Sequence, residues 1–93
     1  MTTIYMPHEL KKGENSDFIN QLYALCDEPE INLDFSTLNL AFPISTLKIG
    51  ASIRNLVRHR KAKGLETFAP GISSSNSCHS YLMHVGYFKF IGL

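Results

Sequence analysis

Four residues of this chain could suggest metal chemistry by their types, namely His59, Cys78, His79 and His84. A zinc site needs three or four ligands that converge on one point. His79 and His84 are five positions apart, whereas ligands that share one helical face are four positions apart. The sequence therefore predicts no metal site.

Side chains that could act as a catalytic acid or a nucleophile also stand alone. Asp34 lies in a stretch that alternates like a strand and has no second acid near it in sequence, and such a strand-end aspartate usually caps a loop. Ser45 and Thr46 have no recognisable base partner and lack the strained GxSxG turn of hydrolases. We therefore expect a protein without catalytic activity and without a cofactor, and a small α/β enzyme is the weaker alternative.

A basic cluster at 54–63 is more informative. It holds five of the nine lysines and arginines, namely Arg54, Arg58, Arg60, Lys61 and Lys63. Part of this cluster is explained by the helix C-terminus, which attracts basic residues because its carbonyl dipoles are unpaired. Solvation of a charged helix face explains another part of the cluster.

The helix that carries this cluster has two unlike faces. Ile49, Ile53, Leu56 and Val57 recur at helical spacing and form a stripe that must cover an apolar surface. The opposite face consists of Leu47, Ala51, Arg54, Arg58 and Lys61. A ridge that begins apolar and ends basic suits an acidic protein partner or, as the alternative, a nucleic-acid phosphate backbone.

Apolar periodicity predicts three strands and three helices in strict alternation. The strands cover 3–6, 31–35 and 65–69, the helices cover 16–26, 45–63 and 78–85, and 8–15 forms a solvated connection. Strands separated by helices pair in parallel through right-handed crossovers. The predicted fold class is therefore α/β, with a small three- to four-stranded, mostly parallel sheet and alternating helices.

Helix ends and a core can also be assigned. Ser45 or Thr46 is expected to cap the central helix, and Gly86 is expected to close the last helix in a left-handed conformation. The C-terminal aromatic residues need a cover, which is either this domain or a second copy in a homodimer. The predicted core consists of Ile4, Ile19, Leu22, Leu33, Phe35, Ile49, Ile53, Leu56 and Phe68.

Composition indicates one small domain that spans 1–93. The 44% of apolar residues and the net charge of +1 exclude a disordered chain and a strongly basic nucleic-acid binder. No apolar run reaches the roughly 18 residues of a membrane span, and residues 1–3 lack a secretory pattern, so we expect a cytoplasmic protein. Cys26 and Cys78 have no CxxC spacing and are expected to be reduced.

Three segments together carry a resemblance to a known family. They are the strand 31–36 (INLDFS), the connection 40–43 (LAFP) and the terminal stretch 81–92 (YLMHVGYFKFIG). The chain resembles the STAS fold, named for sulfate transporters and anti-sigma-factor antagonists. The terminal stretch is similar to STAS-like segments that precede GHKL-type ATP-binding domains in bacterial regulatory proteins.

One motif of that family is absent. In the antagonists an Asp-Ser-Ser-Gly run opens the central helix, and one of its serines accepts phosphate. The equivalent stretch here is Phe42-Pro43-Ile44-Ser45, with Ile44 at the acceptor position. Ser45 could accept phosphate only if the register were shifted by one residue.

The resemblance implies a non-enzymatic bacterial regulatory module that binds a protein, such as a kinase-like ATP-binding domain of GHKL type. The alternative is a small nucleic-acid- or nucleotide-binding module that uses the basic cluster at 54–63. Ser45 is the candidate phosphorylation site. The expected partner surface consists of Phe42, Ile44, Ser45, Leu47, Ala51, Arg54 and Arg58.

Overall fold

The computed structural model describes residues 2–10 and 15–92, so that residues 11–14 of the expected connection lie outside the described part. β1, β3 and β5 form a parallel sheet in the order β1-β3-β5, and β2 and β4 form a separate parallel pair. This arrangement confirms the predicted α/β class with a small parallel sheet. The elements are β1 (Thr2–Tyr5), β2 (Glu9–Leu10), α1 (Ser16–Ala24), β3 (Glu30–Asp34), β4 (Leu40–Ala41), α2 (Pro43–Ala62), β5 (Glu66–Phe68), α3 (Ser77–His84) and α4 (Tyr87–Ile91).

The two crossover helices lie on one face of the three-stranded sheet. α1 leads into β3, α2 leads from β3 to β5, and the two helices pack against each other. Ile4, Ile31 and Leu33 point toward them and are buried. The other face carries Tyr5 and Phe68, which are 59% and 42% exposed, so no described element covers it. Parallel sheets usually have both faces covered.

The core forms between that sheet and the helices, and most of its predicted members are buried. Ile19 is half-buried and packs against the core from its edge. Phe68 was predicted wrongly, because β5 pairs Asn32 with Phe68 and turns the phenylalanine toward the uncovered face. The neighbouring Thr67 points inward instead, as alternation along a strand requires. The buried apolar residues are Ile4, Met6, Leu10, Phe18, Leu22, Ile31, Leu33, Phe35, Leu38, Ile49, Ile53, Leu56, Val57, Leu82, Tyr87 and Ile91.

The central helix begins two residues earlier than predicted. Phe42 is its N-cap residue, and Pro43 occupies the first turn, where its fixed φ and missing N–H are tolerated. The expected capping role of Ser45 or Thr46 is therefore wrong. The Thr46 hydroxyl donates back to the Phe42 carbonyl at 2.7 Å. The Phe42 amide donates to the Leu10 carbonyl, which ties the helix start to β2.

The C-terminal segment closes over the end of the sheet. Asn76 caps α3 by accepting hydrogen bonds from the Cys78 and His79 amides. Gly86 adopts a left-handed φ of 77°, as predicted, and turns the chain into α4. The Phe88 ring meets the Phe35 ring edge-on at 5.2 Å. The aromatic segment is thus covered in part by its own domain.

Arg60 is the largest fully buried side chain, although it lies within the basic cluster. Its Nε donates to the Thr67 hydroxyl at 2.8 Å. Its terminal nitrogens donate to the carbonyls of Cys26, Glu28, Pro29 and Glu66. Arginine has five N–H donors, so all of them are used. The guanidinium therefore joins the end of α2 to the α1–β3 corner and to β5.

Replacement of Arg60 by Met is expected to lower the free energy of unfolding by about 3 kcal/mol or more. The apolar chain would fill similar space but leave several buried carbonyls without a donor. Chemical denaturation measures the loss. Arg58→Met, two positions away on the exposed face, should change stability by less than about 0.5 kcal/mol. Equal losses in the two variants would contradict the buried role of Arg60.

Truncation of Ile53 tests the register of α2. Ile53 is fully buried, so Ile53→Ala should cost about 2 to 4 kcal/mol, because it loses transfer energy and leaves a cavity. Leu47→Ala is the matched control, since Leu47 is 63% exposed on the same helix. An unchanged denaturation midpoint for Ile53→Ala would place this residue on the surface.

Candidate functional site

The outer face of α2 exposes large apolar side chains next to basic ones. Phe42 is 48% exposed, Ile44 69% and Leu47 63%. Ile44 and Leu47 are neighbours on the helix surface because they are three positions apart. Single exposed apolar residues are ordinary, but a contiguous group marks an interaction site. We call the following set the α2 ridge: Phe42, Ile44, Leu47, Ala51, Arg54 and Arg58.

Ser45 does not share this surface, although it was expected there. Its side chain is only 6% exposed, and Thr46 beside it is 7% exposed. The helix start at Pro43 sets this orientation, since it places Ser45 and Ile49 on one face, four positions apart. A kinase could reach the Ser45 hydroxyl only after the first turn of α2 had opened.

The basic half of the α2 ridge contains two arginines in different surroundings. The Arg54 guanidinium lies 5.1 Å from the centre of the Phe90 ring, a cation–π contact that holds it against α4. Arg58 is exposed and forms no ion pair with any residue of 2–10 or 15–92. The ridge therefore presents one positioned cation and one solvated cation beside its apolar half.

Gly50 permits the close approach of α4 to α2. A Cβ at this position would lie 2.9 Å from Tyr87 Cε1 and 3.3 Å from Phe90 Cε2. The Tyr87 hydroxyl donates to the Thr46 carbonyl at 3.2 Å. Burial raises the pKa of Tyr87, so the phenol stays a donor. Through Phe90, this docking also positions Arg54.

The rest of the basic cluster does not form one surface. Arg60 is buried, and the Lys63 ammonium donates to Asp27 Oδ1 at 2.9 Å. Lys61 is exposed on the last turn of α2. Of the five basic residues at 54–63, only Arg58 and Lys61 are exposed without a partner in the described part of the chain.

His79 has a structural role that the sequence did not indicate. Its Nδ1 accepts from the Ser73 amide at 3.0 Å, and its Nε2 lies 2.8 Å from the Leu38 carbonyl. An amide can only donate and a carbonyl can only accept, so the ring is neutral with its proton on Nε2. Its neighbour Cys78 is half-buried, and desolvation raises the pKa of that thiol. Both nitrogens of His79 are used, so it is not free to bind a metal.

Asp34 lies at the carboxyl end of the central strand and holds a turn. Its Oδ1 accepts from the Ser36 amide at 2.8 Å, and bonds from the Ser36 hydroxyl and amide lower the pKa of Asp34. Gly71, with a φ of 82°, lies so close that a Cβ would meet Asp34 Oδ1 at 2.6 Å. The carboxylate thus supports the loop geometry that the sequence suggested for it.

Three side chains converge where α1 and α2 both end, and the sequence did not bring them together. The ligand atoms of Cys26, Asp27 and His59 all lie within 4.8 Å of one another. Hydrogen bonds from Lys63 and from His59 lower the pKa of Asp27 to about 2, so its carboxylate is ionised at neutral pH. His59 is 32 residues from Asp27, and only the packing of the two crossover helices joins them.

Comparison of the chain with protein-family models, curated proteins and solved structures found no match. Within residues 2–10 and 15–92, no helix has the length and apolarity needed to cross a bilayer. The α2 ridge and the cluster of Cys26, Asp27 and His59 are therefore the features from which a function can be inferred.

Substitution of Gly50 by Ala tests the docking of α4 on α2, because the sign of the change in the free energy of unfolding depends on whether α4 lies against Gly50. Alanine normally stabilises a helix interior relative to glycine by roughly 0.5 to 1 kcal/mol. Here the added methyl group would displace the buried Tyr87 ring, an overpacking that costs about 1 to 3 kcal/mol. We expect a net loss of about 1 kcal/mol in thermal or chemical denaturation. A gain would show that α4 does not lie against Gly50.

Proposed function

We propose that this chain is a non-enzymatic regulatory module that binds an acidic protein partner through the α2 ridge. The observation that carries this proposal is the exposure of Phe42, Ile44 and Leu47 beside Arg54 and Arg58. Apolar anchors provide most of the binding energy of an interface, and charges at its rim steer the partner and set its register.

The chemistry of the surface favours binding over catalysis. The α2 ridge consists of aromatic, aliphatic and arginine side chains, and none of these can act as a nucleophile or general base at neutral pH. The complementary surface is an apolar hollow bordered by carboxylates. The resemblance to STAS-like segments adds a specific candidate, a kinase-like ATP-binding domain of GHKL type.

The surface is partly preorganised for such a partner. Arg54 is held over the Phe90 ring, and α4 itself is held on α2 through Gly50 and Tyr87. Side chains that are already positioned lose less entropy on binding. Phosphorylation of Ser45 has less support than the rest of the proposal because its side chain is buried.

Nucleic-acid binding has weaker support than protein binding. Specific and non-specific binders of DNA neutralise several phosphates, commonly about six to ten. The basic cluster offers Arg58 and Lys61 as exposed cations that pair with no residue of the described ranges, while Arg60 is buried and Lys63 is engaged by Asp27.

Crosslinking in cells or in a lysate can identify the partner directly. A photoreactive residue at position 47 should capture one acidic protein, whereas the same residue at position 5 should not. Tyr5 is a suitable control because it is 59% exposed on the sheet face opposite α1 and α2. Capture of the same proteins from both positions, or of a second copy of this chain alone, would contradict the proposal.

Charge reversal then tests the ridge against that partner. Arg58→Glu should weaken binding by about 1.4 to 3 kcal/mol, or roughly ten- to a hundredfold, because an attractive charge becomes repulsive. The melting temperature should stay within a few degrees, since Arg58 is exposed. Titration calorimetry measures the affinity.

Lys63→Glu is the control for net charge, because it makes the same change beyond the ridge. If Arg58→Glu binds as tightly as the parent protein, or if both variants weaken binding equally, the α2 ridge is not the interface. Binding of nucleic acid with a steep dependence on salt would favour the alternative function.

A further inference from the structure

Cys26, Asp27 and His59 form a cluster that lies outside the α2 ridge. The His59 Nε2 is 2.9 Å from Asp27 Oδ1, and the Cys26 thiol sulfur lies within 4.8 Å of one ligand atom of each of these two residues. Cys26 is half-buried and not bonded to another cysteine, whereas Asp27 and His59 are exposed. The packing of α1 on α2 brings these side chains together, and the proposed partner surface does not use them.

The backbone beneath these side chains is held in place. Arg60 donates to the carbonyls of Cys26 and Glu28, which flank Asp27, at 3.0 and 2.5 Å. The Glu28 amide donates to the Leu25 carbonyl and closes the turn after α1. His59 directly precedes Arg60 on α2 and therefore lies beside the residue that makes these bonds. A backbone supported in this way loses little entropy when its side chains take a ligand.

The electrostatic surroundings favour a cation. α1 ends at Ala24 and α2 ends at Ala62, so the carbonyl ends of both helices face this corner. Helix C-termini carry partial negative charge. Two cations are already bound here, since the Arg60 guanidinium takes the carbonyls of Cys26 and Glu28 and the Lys63 ammonium donates to Asp27 Oδ1 at 2.9 Å.

The donor set identifies the class of ion. A thiolate, an imidazole and a carboxylate together are ligands of Zn²⁺, whereas Ca²⁺ and Mg²⁺ prefer oxygen alone. At zinc bond lengths of about 2.0 to 2.3 Å, tetrahedral ligands lie roughly 3.3 to 3.8 Å apart. The observed separations, 2.9 Å between His59 and Asp27 and up to 4.8 Å within the cluster, lie on either side of this range. The ion pair with Lys63 that would be displaced is exposed and therefore weak.

A groove beside the cluster leaves room for a fourth ligand. It has a volume of about 290 Å³, runs between α1 and α2, and includes Cys26 and His59 in its wall. Leu22, Tyr23 and Leu56 make the remaining wall largely apolar. Three protein ligands with one open position are typical of zinc sites that bind water or another small ligand.

We propose that Cys26, Asp27 and His59 bind a Zn²⁺ ion, with water from the groove as the fourth ligand. Binding forms a Zn–S bond and releases the thiol proton to solvent. The His59 proton moves from Nε2, which becomes a ligand, to Nδ1 by exchange with water. No oxidation or reduction takes place.

Cobalt titration of the whole chain tests this site, because Co²⁺ occupies zinc sites and reports a thiolate ligand by a charge-transfer absorption band. The parent protein should develop this band together with the visible bands of tetrahedral Co²⁺, and Zn²⁺ should remove both. Cys26→Ser should abolish the charge-transfer band, and His59→Gln should weaken binding by more than about tenfold.

Cys78→Ser is the matched control, since Cys78 is the other half-buried free cysteine and lies on α3. This variant should keep the band and the affinity of the parent. Far-ultraviolet circular dichroism confirms that each variant is folded. Zn²⁺ should also raise the melting temperature of the parent but not that of His59→Gln.

Absence of a charge-transfer band in the folded parent protein would overturn the proposal. Persistence of the band in Cys26→Ser, or an equal loss in Cys78→Ser, would do the same. These outcomes do not depend on the α2 ridge, because none of the variants alters a residue of that surface.

Discussion

The fold depends on one buried charge, the guanidinium of Arg60. Taking a cation out of water is costly unless its donors are satisfied. Among residues 2–10 and 15–92 its partners are the Thr67 hydroxyl and four backbone carbonyls, and none of them is a carboxylate. These carbonyls belong to the α1–β3 corner and to β5, so the charge is stabilised only when the helix and both strands are in their native places. The free-energy cost of burying Arg60 is therefore offset only when this end of the sheet is completely formed.

Arg60 also explains the two clearest differences between the predicted and the observed core. It lies in a basic run, which favoured an exposed position, yet it continues the stripe of Ile49, Ile53, Leu56 and Val57 at the same helical spacing. A residue on the apolar stripe is buried with its neighbours. Thr67 faces inward because its hydroxyl accepts from Arg60, and Phe68 must then face outward. Alternation along so short a strand could not distinguish the two registers.

The order of strands and helices was readable from the sequence because each long element repeats its period several times. α2 has 20 residues, and its apolar stripe is unmistakable. β2 and β4 have two residues each, which is too few to show any period. Their pairing just before Pro43 could therefore not be predicted from the sequence pattern. The site was harder to predict for a similar reason. Exposure along the α2 ridge follows from helical spacing, whereas the meeting of Cys26 with His59 requires the packing of α1 on α2.

The length of α2 separates the apolar half of the proposed partner surface from the proposed metal site. Its 20 residues span about 30 Å, with the apolar half of the α2 ridge at its start and the Arg60 corner at its end. Leu47 and His59 are 12 positions apart, or roughly 18 Å along the axis, which exceeds the distance over which surface charges interact at physiological salt. A metal ion at the corner would thus reach the apolar anchors of the ridge only through the packing of α2 itself. That packing is held at both ends, by Arg60 at one and by Tyr87 on Thr46 at the other. Arg58 is different, because it directly precedes His59, so a bound cation would add to the positive charge at the basic end of the ridge. The apolar anchors and the metal site are therefore expected to act independently, as distant sites without shared partners usually do, whereas Arg58 is expected to couple to the ion.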